Sequence, residues 1–146
     1  MSFELDINAF CEKVKGNADK VVRATVISMA RSIMERSPVG NPSLWMHPAP
    51  PGYVGGTFRA NWQLGVNEAP KGEIQETDAG GERTLRKITT GIPKEAAGNI
   101  FYLVNNLPYA WPIENGHSTK QAPKGVVGLT VTEFRTYIEQ ALAELR

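Results

Sequence analysis

The sequence predicts an α+β domain: a small, mostly antiparallel sheet packed against a long N-terminal helix, with a short middle helix and an amphipathic C-terminal helix. Three observations carry this expectation. Apolar residues recur at spacings of three and four over the first 36 positions. A run that alternates apolar and polar side chains follows in mid-chain, and a second helical periodicity closes the sequence. Helical and strand segments interleave without a regular βαβ repeat, which favours an antiparallel sheet with helices on one side.

Asp6 to Arg36 reads as helix, with Asp6 as the expected N-cap, because its carboxylate suits a free N–H of the first turn. Phe10, Val14, Ala18, Val21, Thr25, Met29 and Ile33 form one stripe, and Val22, Val26, Ile27, Ala30 and Met34 widen it in the second half. Gly16 and Asn17 interrupt the pattern and predict a bend or a split into two helices. Pro38 ends the helix, since proline disfavours helical geometry at the residue before it.

Residues 37–56 hold five prolines and four glycines and fit no periodic element. A loop this long inside one domain is usually functional or disordered. Trp45, Met46 and Tyr53 argue against plain disorder, because disordered segments are poor in large apolar groups. Two readings stay open: an arm that projects onto a partner, and a flap that folds back over its own sheet and shields Trp62.

Thr57 to Glu68 reads as a strand with Phe58, Ala60, Trp62, Leu64 and Val66 on one face. Gly72–Thr77 reads as a weaker strand, joined to it by a hairpin turn. Asp78 caps a short helix in which Leu85, Ile88 and Ile92 share a face, and Asn99–Asn106 is a buried strand. Within YAWPIENGHS (109–118), Pro112 starts a helical turn that Gly116 stops. Pro123 to Leu145 is the last helix, with Val127, Val131, Phe134, Ile138, Ala141 and Leu145 on its inward face.

The chain of 146 residues suits a single domain, 1–146, and its formal net charge of +1 gives no overall basic excess for nucleic acid. Lys13, Lys15, Lys20 and Arg23 form a local basic cluster, readable as a patch or as the solvated face of a helix. The single cysteine, Cys11, excludes an intrachain disulfide, and the start of the chain lacks a signal pattern. Both point to a reducing cytoplasm. No apolar run reaches the length of a membrane span.

Chemistry is sparse. DAGGERT (78–84) lacks the lysine of a phosphate loop, and His47, His117 and Cys11 lie too far apart in sequence to suggest a metal site. Glu114 and His117 stand three apart and suit an oriented acid–base pair, yet no nucleophile accompanies them. The turn residues around them favour a structural corner, with Tyr109 and Trp111 as large amphipathic contacts. No catalytic residue, cofactor or metal is expected.

Several motifs carry a resemblance. They are Arg36-Ser37-Pro38-Val39 at the helix end, Gly56-x-x-Arg59-Ala60-Asn61-Trp62, Asn105-Asn106-Leu107-Pro108-Tyr109-Ala110, the Glu114-Asn115-Gly116 turn, and Lys120-Gln121-Ala122-Pro123-Lys124-Gly125 before the last helix. In this order, over nearly the whole chain, they resemble the HK97-type tail-component family of long-tailed bacteriophages. Many relatives have a compact Pro-Val-Asp-Thr-Gly turn where this chain carries Pro38-Val39-Gly40 and the proline-rich insert. The resemblance implies a structural virion protein at the neck, assembled in the host cytoplasm, which completes or terminates the tail. It implies a homo-oligomeric ring, typically hexameric, with the tail tube protein and the head–tail connector as partners, and leaves room for transient contact with DNA in the lumen. The contact residues expected on this basis are Trp45, Met46, Tyr53, Tyr109, Trp111, Glu114 and His117. The alternative from a different class is a small hydrolase or nuclease of a mobile element that uses Glu114 and His117.

Overall fold

The computed structural model describes residues 3–40, 48, 51, 54–116 and 118–145, with the backbone alone for 3–11. Helix α1 (Phe3–Arg36) is one unbroken element, about 51 Å long at 1.5 Å per residue. Its backbone is already helical at Phe3, so Asp6 lies inside the first turn and is not the N-cap. The split into two helices allowed at Gly16 and Asn17 does not occur. A mid-helix glycine costs only about 1 kcal/mol relative to alanine, and the helix formers around it carry the hydrogen-bond ladder through. The helix stops one residue before Ser37-Pro38, as the sequence predicts. Among the described side chains of its stripe the burial lies in the second half: Thr25, Val26, Ala30, Ile33 and Met34 are covered, while Val14 is 50% exposed.

The mid-chain strand is shorter than the alternation suggests. Thr57–Ala60 forms a single helical turn, α2, and strand β1 covers Trp62–Val66. The physical reason is that Phe58 and Trp62 stand four apart, a spacing that one helical turn and a strand both satisfy. The turn buries both rings edge to face, with centroids 5.8 Å apart and planes at 78°. It also turns Asn61 inward, where it is fully buried.

Strand β1 does not pair with Gly72–Thr77. Its antiparallel partner is β2 (Phe101–Asn105), in a register that sets Trp62 opposite Asn105 and Val66 opposite Phe101. Side-chain amides stand in for the expected hairpin ladder. Asn61 donates to the carbonyls of Thr57 and Ile74 and accepts the Ile74 N–H at 2.7 Å, and Gln63 donates to the Gly72 carbonyl. Among the described residues the sheet has two strands, so the outer edge of β2 has no neighbouring strand.

Helix α3 (Glu82–Gly91) follows; its N-cap position is Gly81, and Asp78, the expected cap, reaches the first turn from three residues further upstream. One carboxylate oxygen of Asp78 accepts both the backbone N–H and the hydroxyl of Thr84. Burial opposes the charge on Asp78, but the bonds from Thr84 and Gly81 and the nearby Arg83 outweigh it and hold its pKa below the ordinary value.

After β2 comes α4 (Ala110–Glu114). The expected last helix is two: α5 (Val127–Thr132) and α6 (Phe134–Ala143), broken at Glu133. Glu133 is held from both sides, by the Arg36 guanidinium and by the Tyr137 hydroxyl, and the Ser32 and Thr130 hydroxyls meet at 2.9 Å nearby. These polar contacts fasten α5 and α6 to the end of α1. The face turned inward is therefore Val126, Thr130 and Ala141, and the predicted apolar face is split: Ala141 is buried and Ile138 half-buried as expected, while Val127 is 37% exposed, Phe134 45% and Val131 56%. The core lies between the last turns of α1, Phe58, Trp62, Ile88, Leu107, Ala122 and Val126.

Candidate functional site

The chain corner after β2 is built by two asparagines. The Asn105 side chain donates to the Phe58 carbonyl and accepts the Leu107 N–H, and Asn106 donates to the carbonyls of Pro70 and Gly72. Leu107 turns into the core. The Ala110 and Ile113 N–H groups then bond back to Leu107 and Tyr109, which starts α4 two residues ahead of Pro112. Gly116 stops it at φ 83, the positive value that the sequence assigns to it.

Glu114 is the keystone of this corner. Its Oε2 accepts the N–H of Val126 at 2.9 Å and of Val127 at 2.8 Å, and its Oε1 accepts the N–H of Gly128 at 2.8 Å. These donors lie at the start of α5, where the first backbone N–H groups of a helix have no partner within it. Partial burial works to raise the Glu114 pKa. The three backbone bonds together outweigh it, and the carboxyl is held below its ordinary value. A carboxylate satisfied this way is an anchor, poorly placed to take a proton from a substrate.

Trp111 has the opposite setting. It is 76% exposed, the largest exposure among the apolar side chains of the corner. It borders an open groove of about 420 Å³ whose other walls include Leu103, Leu107, Pro108, Val126 and Val127. Val127 carries the apolar surface onto the outward face of α5, where Val131 lies one turn further along and Phe134 follows. Tyr109 faces another groove, of about 380 Å³, with Pro38, Val39, Phe58 and Gln121. Its ring tilts against Phe58 at 6.1 Å.

That second groove contains one root of the proline-rich segment. The Val39 N–H donates to Gln121 Oε1 and the Gln121 amide donates to the Val39 carbonyl, both at 2.8 Å. The other root closes against the first, because a Cβ on Gly55 would stand 2.5 Å from the Gly40 carbonyl oxygen. The two ends of the insert thus meet at a neck.

Of the predicted contact residues, Tyr109, Trp111 and Glu114 come together at one corner, while Trp45, Met46, Tyr53 and His117 lie outside the described residues. Glu114 moves from candidate surface contact to internal cap. Sequence reasoning missed Val127, Val131 and Phe134 as surface groups. Their signal was the helical stripe itself, read as a core-facing one. Among the described residues no group of three or more His, Cys, Asp or Glu side chains could hold a metal ion, and no helix is long and apolar enough to cross a membrane.

The motif residues have structural roles. Arg59 donates to the carbonyls of Ser37 and Ala79, Asn61 pins Ile74, and Trp62 Nε1 donates to the Ser37 hydroxyl at 2.8 Å. No protein-family model matches the chain, and neither the curated proteins nor the solved structures give a match.

Proposed function

We propose that the protein is a structural subunit of a tailed-phage virion: a closed homo-oligomeric ring, of six copies, at the head–tail junction, where it completes or terminates the tail and meets the tail tube and the connector. The observation that supports this reading most is the outward apolar face of Trp111, Val127, Val131 and Phe134. Large apolar side chains left exposed on a small domain fit a contact with another protein. An exposed tryptophan beside an apolar groove is the kind of anchor that dominates interface energetics. The motif resemblance over nearly the whole chain supplies the phage assignment. A ring needs two different faces that meet head to tail with a rotation that closes. The outer edge of β2, which has no neighbouring strand among the described residues and whose Leu103 lines the Trp111 groove, provides a second element for such contact. The hydrolase alternative uses Glu114 and His117 as a pair, and the engagement of Glu114 with three backbone N–H groups argues against its part in it.

The test is a pair of variants, Trp111→Glu and Val131→Glu. Both side chains point to solvent, so the isolated domain should keep its melting temperature. Ring formation and the joining of heads to tails should fail. Normal assembly by both variants would contradict the reading.

A further inference from the structure

The fold decides which of the cations on the first half of α1 remain available. Lys15 lies 3.8 Å from Glu95. Arg23 donates to the carbonyls of Ile92 at 2.9 Å and Thr89 at 3.3 Å, at the C-terminal end of α3, and these two bonds fix its guanidinium in place. Asp19, the one carboxylate between them, accepts the Ala97 N–H at 2.9 Å. Lys20 has no ion pair among the described residues, and the fold brings Lys94, equally unpaired, to the same open groove of about 510 Å³.

Gly16 lines this groove too, and a Cβ there would meet no atom within 4 Å. Nothing in the packing of the described residues therefore calls for glycine, although the helix gives up about 1 kcal/mol relative to alanine at this position. Gly16, Lys20 and Arg23 stand four and three apart, on one face of α1. The bare position keeps that face clear beside two free ammonium groups and one fixed guanidinium.

We propose that this groove docks the phosphate backbone of double-stranded DNA, with Arg23 as a positioned cation and Lys20 and Lys94 as mobile ones. Charge complementarity selects the occupant. Three cations face a single carboxylate that is already bonded, on a chain whose formal net charge is only +1. The contact is with phosphates and reads no sequence. It deepens the ring proposal by naming the surface that meets DNA within the neck, and it rests on that proposal for bringing DNA within reach.

The experiment measures binding of the full chain to a short DNA duplex by fluorescence anisotropy across a salt series. Lys20→Ala and Lys94→Ala should each weaken binding about ten-fold at about 50 mM salt and reduce the salt slope by about one. Melting temperatures should stay at the wild-type value, since neither lysine has an ion pair among the described residues. Gly16→Glu should weaken binding while leaving the helix intact. Unchanged affinity and slope in the Lys20→Ala/Lys94→Ala double variant would overturn the proposal, as would polyglutamate of equal charge competing as well as DNA. Electron microscopy of the same samples separates the two readings. Rings without groove-dependent DNA binding remove this inference alone, and groove-dependent binding by a chain that never forms rings removes the ring alone.

Discussion

Gly125 lies directly against Glu114: a Cβ at residue 125 would stand 2.4 Å from the Glu114 carbonyl oxygen and 2.9 Å from its Oε1. Gly125 also has φ 80, a backbone conformation that side chains disfavour. Gly125→Ala should therefore destabilise the domain by about 2 kcal/mol or more, because strain and a clash with backbone act together. Urea unfolding checks this.

Glu114→Gln removes the charge that accepts three N–H groups and should cost about 1–2 kcal/mol at neutral pH, as loss of a helix cap does. The folded-state pKa of Glu114 lies below its ordinary 4.5. Its contribution to stability is thus complete above the unfolded value and is lost as pH falls through the lower folded value. The wild-type advantage over Glu114→Gln should shrink in that acid window and stay constant above it. The purified protein should show no hydrolytic turnover that depends on Glu114 or His117. A turnover lost in either variant would support the hydrolase alternative.

Ser37 accepts the Trp62 indole N–H and donates to the Ile33 carbonyl at 2.6 Å, while Ser37 is 2% exposed and Trp62 6%. Ser37→Ala leaves a buried indole N–H without its acceptor and should cost about 2 kcal/mol. Ser37→Thr keeps the hydroxyl and should cost less. Thermal melts of the two variants rank them.

The neck formed by Val39 with Gln121 and by Gly55 against Gly40 makes the insert removable. Deleting Ser43–Tyr53 should leave the melting temperature of the monomer unchanged and stop heads from joining tails. Unfolding of the deletion variant would instead favour a segment that covers its own sheet, and intact particle assembly would take the segment out of the contact altogether.

Much of the fold was legible because its signals are local. The α1 stripe, Pro38 as its stop, Asp78 bonding the first turn of α3 and Gly116 as the end of α4 each depend on a few neighbouring residues. What the sequence hid depends on distant partners. Alternation at Phe58, Ala60 and Trp62 is equally a helical turn running into a strand, and the choice is made by the buried Asn61 amide bonding Ile74. The partner of β1 is β2, about a third of the chain away, with no local turn to announce it.

The last helix was misread for a related reason. Its regular apolar face was taken as the inner one throughout, which holds for Ile138 and Ala141, but Ser32 and Arg36 hold Thr130 and Glu133 inward, and Val127, Val131 and Phe134 are left outside. The pattern therefore misleads about part of the core. At the candidate site, Trp111 was legible as an exposed aromatic and Glu114 was not legible as a cap, because its three donors belong to an element whose start the sequence placed four residues too early.

A reconstruction of the neck in intact virions tests the central claim most directly, by counting copies of this chain and locating Trp111. The account predicts a closed ring of six copies with Trp111, Val127 and Val131 buried between neighbouring subunits. A single copy or a dimer at the neck, or a ring in which Trp111 still faces solvent, would contradict it.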